Sequence, residues 1–226
     1  DTLTKMGAQI TTAEIKQQPD LWLEAFANYE KEQATVSTFL TAVASQAGGR
    51  PVRVLFTGAG SSQYVGDTVA PYLQAHGDRS RFTFESVATT NIVSAPGDYL
   101  TADEPTLLVS FARSGNSPES LKTVELAEQL VSSLHQISIT CAPDGQLALK
   151  AQTEPQTLLL MQPARSNDKG FAMTGSFSCM LLTALLVFDT ASLDAKRQWV
   201  ETLAAMGREV IAREQTIQAL VDQDFE

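Results

Sequence analysis

Histidine and cysteine are scarce, two of each in 226 residues, and His76, His135, Cys141 and Cys179 nowhere approach the spacing of a metal site, so no metal is expected. Two cysteines so far apart do not make a disulfide framework either. They fit buried, reduced thiols and a cytoplasmic setting. Basic charge is short as well: 16 Lys and Arg against 26 Asp and Glu leave a net charge of −10, which argues against nucleic acid as a partner. No apolar run approaches the roughly 20 residues that span a bilayer, so no membrane partner is expected. The longest run, Met180 to Phe188, reads as a buried helix. The first residues show no basic stretch followed by an apolar one, hence no secretory signal is visible. Repeats, low-complexity tracts and long linkers are lacking. So is any Gly-Lys-Ser or Gly-Lys-Thr, which excludes a Walker phosphate loop.

What the chain does have is a regular alternation of short apolar strands with helical patterns. A long helical pattern from Pro19 to about Ala47 repeats Leu21, Phe26, Val36, Leu40 and Val43 at near-helical spacing, and is expected to form an N-terminal helical arm over residues 1–47. After Gly48, Gly49 and Pro51 a strand runs to Phe56, then a helix from about Gln63 to Ala75. Further strands are expected near Arg81 to Val87, up to Phe111, at Gln136 to Cys141 and at Thr157 to Met161. Helices fall at Pro118 to about Ser133 and Gln146 to Ala151, with a final one from about Asp194 to Ala219. The order β-α-β-β-α-β-α-β predicts an α/β fold, a doubly wound five-stranded parallel sheet flanked by helices.

Two turns carry the chemistry. Ser110-Phe111-Ala112-Arg113-Ser114-Gly115-Asn116-Ser117-Pro118-Glu119-Ser120 joins a buried strand to a helix through a hydroxyl-rich turn, with Ser117 as N-cap, Pro118 at the first helical position and Glu119 in the first turn. Unpaired N–H groups and the dipole at such a helix start favour an anion. Gly115 permits close backbone approach, Ser114 and Ser117 add hydroxyls, and Arg113 adds a charge suited to phosphate oxygens. The second turn, Thr57-Gly58-Ala59-Gly60-Ser61-Ser62, again runs from an apolar strand into glycines and hydroxyls. Such turns lie at the carboxyl ends of parallel strands, where doubly wound sheets bind ligands. A nicotinamide cofactor is the rival reading of Gly58 and Gly60, with Glu85 as the acidic ribose partner. The dinucleotide fingerprint, however, wants a small residue at position 63, which is Gln.

Together these strings resemble the sugar isomerase (SIS) domain, a phosphosugar-binding module, and in particular the AgaS family of galactosamine and tagatose phosphate metabolism. The resemblance runs from about Leu21 onward and takes in Arg165 to Phe177. It implies a flavodoxin-like SIS fold over residues 48–220, phosphate-binding hydroxyls at Ser62, Ser114 and Ser117, and a sugar-reaching hydroxyl at Ser61. Gly60, Arg113, Gly115 and Asn116 complete the expected substrate-binding set. Relatives such as glucosamine-6-phosphate synthase carry Ser-Gln-Ser where this chain has Ala112-Arg113-Ser114, one hydroxyl fewer and one cation more.

The activity so implied is deaminating isomerisation of galactosamine 6-phosphate to tagatose 6-phosphate with release of ammonia. A plain aldose–ketose isomerase and a non-catalytic phosphosugar sensor are the alternatives. No cofactor is expected, the partner is a small sugar phosphate, and a homodimer or larger homo-oligomer is anticipated. Residues 221–226 resemble the approach to another strand, the expected start of a second SIS domain. The main catalytic base is accordingly expected beyond residue 226, with Glu85 and Lys169 as weaker candidates within the chain. Asp168 reads either as a crevice residue or as a cap. Thr174, Ser176 and Ser178 read as pocket lining or as the beginning of a helix, and Thr89, Thr90 and Asn91 as a polar turn able to touch the sugar. His76 reads as a helix-end residue and His135 as lying just before a strand.

Overall fold

A computed structural model describes residues 2–223. Five strands, β1 (Val52–Gly58), β2 (Phe82–Ser86), β3 (Thr106–Ala112), β4 (Leu134–Thr140) and β5 (Thr157–Met161), form one sheet in the order β2-β1-β3-β4-β5. Every pairing is parallel. The helices are α1 (Thr2–Lys5), α2 (Gln9–Gln46), α3 (Ser61–His76), α4 (Thr89–Ser94), α5 (Pro96–Tyr99), α6 (Pro118–Leu130), α7 (Gln146–Thr153), α8 (Gly175–Phe188), α9 (Leu193–Ala212) and α10 (Glu214–Val221).

Strand periodicity sorts the core into two layers. Val54 and Phe56 of β1, Leu107, Val109 and Phe111 of β3, and Ile137 and Ile139 of β4 alternate onto one face, beneath α2, α3, α8 and α9. Leu55, Leu108 and Leu134 point to the other, beneath α4 to α7. Burial on both faces is why these strands read as nearly continuous apolar runs. Phe56 anchors the first layer, stacked against Phe84 and Phe111 and met edge-on by Phe188, with centroids 5.6–6.2 Å apart. Such pairs add about 0.5–1.5 kcal/mol each beyond the area they bury.

The N-terminal helix is longer than its pattern suggests. It begins at Gln9, ten residues before Pro19, and Pro19 lies inside it. A mid-helix proline removes the bond to the carbonyl four residues back; here Gln18 Nε2 donates to that carbonyl, Ile15 O, at 3.5 Å. Leu21, Phe26, Tyr29, Val36 and Val43 belong to the main core, so α2 is built into the domain. Four other expectations shift. Residues 89–91 open helix α4 instead of forming a turn, because Thr89 is buried and its hydroxyl donates to Gly58 O at 3.1 Å. His135 lies within β4, buried against Phe39. The helix expected to reach Ser133 ends at Leu130, and the last helical stretch divides into α9 and α10 at Arg213. Of the strand approach expected at 221–226, residue 221 ends α10, and 224–226 lie outside the described residues.

Candidate functional site

The order β2-β1-β3-β4-β5 reverses direction between β1 and β3, and the crevice outside the carboxyl ends of such neighbours is where doubly wound sheets take ligands. Thr57 pairs with Ser110 and Gly58 with Phe111, so the two hydroxyl turns leave the sheet side by side.

In the first turn Gly60 precedes α3 at φ +57°, a conformation that favours glycine. Ser62 N–H donates to Ala59 O at 3.2 Å and Gln63 N–H to Gly60 O at 3.0 Å, which closes the turn tightly. Ser61 and Ser62 are half-buried, and neither hydroxyl has a partner among the described residues. In the second turn Gly115 has φ +66° and Ser117 stands as the N-cap of α6 with Pro118 following. Ser117 Oγ donates to Ser120 Oγ at 2.6 Å, and Ser114 Oγ accepts weakly from Asn116 N–H at 3.4 Å. A third turn buttresses the second. Asn116 Oδ1 accepts from Gln146 N–H at 3.0 Å and Gly115 O from Leu147 N–H at 3.1 Å, tying it to the start of α7.

Arg113 extends from the end of β3 and donates through Nη1 to the main-chain oxygen of Asp168. Its Nε is buried without a partner among the described residues, as are Thr57 Oγ1 at the end of β1 and Gln63 Oε1 in the first turn of α3. Buried unpaired polar atoms are rare and cost about 1–3 kcal/mol each. Here they flank the two turns, and so mark a place where polar groups are held ready.

The remaining sequence candidates divide. Glu85 lies at the carboxyl end of β2, as expected, and its carboxylate is in an ion pair with Arg53, which also meets Glu104 at 3.5 Å. The nicotinamide reading would have to share that carboxylate between Arg53 and a ribose. Lys169 is exposed on the loop after β5, in a cleft it shares with Glu14, Gln17 and Arg165. Asp168 is buried and caps α8: its carboxylate accepts from the N–H groups of Thr174, Gly175 and Ser176 and from the hydroxyls of Thr174 and Ser176, at 2.6–3.1 Å. Thr174 and Ser176 are thus cap partners. Ser178 accepts from Trp22 Nε1 at 2.9 Å and donates to Gln18 at 2.7 Å. His76 ends α3, tilted against Tyr72. Both cysteines are buried; burial pushes the Cys141 thiol up to about 11 and the Cys179 thiol up as well. Among the described residues no cluster of His, Cys, Asp or Glu could hold a metal, and no helix is long and apolar enough to cross a membrane.

Sequence reasoning did not single out Gln63, Thr57 or Glu14. Gln63 was read as a helix start and as a mismatch to the dinucleotide pattern. It is buried, and its Nε2 donates to Asp67 Oδ1 at 2.8 Å and Ser86 Oγ at 2.7 Å. Glu14 sits in a polar stretch with no visible signal.

Comparison with known proteins gives the family. The SIS domain model matches residues 50–188. The chain is 41% identical over 188 residues to the D-galactosamine-6-phosphate deaminase AgaS of Shewanella sp. (strain ANA-3), covering 83% of this chain and 48% of that protein. To an Escherichia coli D-galactosamine-6-phosphate deaminase AgaS it is 37% identical over 186 residues, 82% of this chain and 47% of that one. The solved tagatose-6-phosphate ketose/aldose isomerase from Escherichia coli superimposes with a TM-score of 0.77 at 36% identity, over 86% of this chain and 52% of that structure. The chain spans about half the length of the curated relatives it matches. The matched residues reach from just before β1 to the last residue of α8 and so contain the whole sheet and both hydroxyl turns; the chain belongs to the SIS domain family.

Proposed function

We propose that this chain forms the phosphate-binding part of an enzyme that converts galactosamine 6-phosphate and water to tagatose 6-phosphate and ammonia. The observation that carries the reading is the adjacency of the two hydroxyl turns, at the helix starts that follow the neighbouring strands β1 and β3. The similarity to AgaS deaminases directs it to the galacto amino sugar. In this reading Ser62, Ser114 and Ser117 bind phosphate oxygens with the N–H groups of α3 and α6, Arg113 balances the charge, Ser61 reaches the sugar, and Gly60, Gly115 and Asn116 shape the turns.

Phosphate lies remote from the reacting carbons, so its binding supplies positioning. The chemistry is a proton shift from C2 to C1, which leaves an imine at C2 for water to hydrolyse, and it needs a base beside C2. Glu85 is paired with Arg53, and Asp168 caps α8. We therefore assign the base to neither of them, nor to Lys169, and place it in the portion of the relatives' length that this chain does not span. The assembly we propose is a cytoplasmic homo-oligomer that takes a sugar phosphate and no cofactor.

The test is ammonia release and ketose phosphate formation from galactosamine 6-phosphate by the full-length protein, with glucosamine 6-phosphate in parallel. Turnover of the galacto substrate is expected. Binding without turnover would turn the reading toward a plain isomerase of another sugar or a sensor, and absence of phosphosugar binding would end it.

A further inference from the structure

Glu14, on the opening turns of α2, is 8% exposed. A carboxylate so buried needs donors, and they come from the loop after β5. Oε1 accepts from Lys169 N–H at 2.6 Å and from Gly170 N–H at 3.1 Å, and Oε2 accepts from Gly170 N–H at 3.2 Å. Gln17, one turn further along, donates through Nε2 to Arg165 O at 3.1 Å, and Arg165 pairs with Glu24. The fit is close, for a Cβ on Gly170 would stand 2.7 Å from Glu14 Oε2 and 2.8 Å from Thr11 Oγ1.

The N–H of Lys169 and the C=O of Asp168 belong to one peptide group. Glu14 holds the N–H end, and Arg113 holds the C=O end through Nη1. Because a peptide is planar, fixing its N–H fixes the direction of its oxygen. A carboxylate on the N–H also polarises the group, which makes that oxygen a better acceptor. The guanidinium of the phosphate turn is thereby aimed by a carboxylate on α2, through one peptide of the loop after β5.

We infer that Glu14 is a positioning residue for phosphosugar binding, acting on Arg113 through the Asp168–Lys169 peptide. The inference rests on the reading of these turns as the phosphosugar site. It predicts coupling: Glu14 matters to affinity only while Arg113 is present.

The experiment is a double-mutant cycle in the full-length protein, with galactosamine 6-phosphate affinity measured by calorimetry and hydrogen exchange of the free protein measured alongside. Glu14→Ala should weaken binding by about tenfold, and Arg113→Ala by at least as much. The double variant should bind within about twofold of Arg113→Ala alone. Glu14→Gln should recover most of the affinity but not all of it, since the two shortest bonds both end on Oε1 and an amide oxygen can accept them without the charge that polarises the peptide. Gly170→Ala, whose methyl would displace the carboxylate, should reproduce Glu14→Ala without touching the acid. In the free protein, Glu14→Ala should speed exchange at 113–117 as well as at 168–170. Additive losses in the cycle, or exchange that quickens at 168–170 and not at 113–117, would overturn the inference while the functional reading stands. If the wild type binds no phosphosugar, the functional reading falls, and the exchange data still decide whether Glu14 governs the turn.

Discussion

Asn116 Oδ1 accepts a hydrogen bond from the main-chain N–H of Gln146 at 3.0 Å, and so joins the turn after β3 to the helix after β4. The bond satisfies an otherwise unpaired N–H at the start of α7 and gives the Arg-Ser-Gly-Asn-Ser turn a rigid neighbour. A turn held in this way need not be ordered when an anion arrives.

Affinity should therefore depend both on the groups that touch phosphate and on the group that steadies them. Arg113→Ala and Ser117→Ala are each expected to weaken phosphosugar binding by about 1–3 kcal/mol, with the fold intact. Asn116→Ala should weaken it less, and should shift the midpoint as well, since Gln146 loses its acceptor. Calorimetric titration with galactosamine 6-phosphate, beside a thermal scan, measures both. Affinity unchanged in Arg113→Ala and Ser117→Ala would move the binding site away from these turns.

Asp168 invites a catalytic interpretation, being a buried carboxylate near the crevice, but its hydrogen bonds describe a cap. Five donors at the start of α8 converge on its two oxygens. Asn in its place would present an NH₂ where an acceptor is needed. Asp168→Asn should cost on the order of 3 kcal/mol of stability. At roughly 2–4 °C per kcal/mol for a protein of this size, a fall of about 6–12 °C is expected. A variant with an unaltered midpoint and no turnover would instead place Asp168 in the chemistry.

The strands were readable from the sequence because both faces of the sheet are covered. Apolar runs bounded by Gly, Pro or polar turns leave little ambiguity, and β5 falls at Thr157–Met161 as expected. The hydroxyl turns were readable for a related reason: Gly, Ser, Asn and Pro between a strand and a helix have few other uses. Long-range partnerships were not. Nothing near Glu14 in sequence indicates a loop 155 residues away, and nothing near Glu85 announces its ion pair with Arg53. The start of α2 was missed because Pro19 resembles a first helical residue. Only tertiary packing, with Pro19 buried and Gln18 bonded to Ile15 O, allows the helix to run through it.

Cysteine reactivity tests the core directly. Burial pushes the Cys141 thiol up to about 11, although Ser166 Oγ lies 3.3 Å from its sulfur, and burial pushes Cys179 in the same direction. At pH 8 about a thousandth of Cys141 would be thiolate, the reactive form. Native protein should resist a disulfide reagent such as DTNB at pH 8 over an hour, and both thiols should react at once in 6 M guanidinium. Rapid release of one equivalent from native protein would put a thiol at the surface.

His135 supplies a pH dependence whose sign follows from its burial. It lies in β4 with its ring edge-on to Phe39, centroids 6.1 Å apart, and desolvation holds its pKa below the usual 6.5. Above about 6.5 the imidazole is neutral in both folded and unfolded chains, so its contribution is constant there. Below that value the unfolded chain takes up a proton that the folded one resists, so stability is lost as the pH falls from about 6.5 through the lowered folded value. Replacing His135 with Gln removes this titration and leaves the carboxylates as they were. Urea midpoints measured from pH 7.5 to pH 5 should therefore fall more steeply for the wild type than for His135→Gln. Parallel curves would mean that the imidazole reaches water and that the strand is less buried at this point than the packing against Phe39 requires.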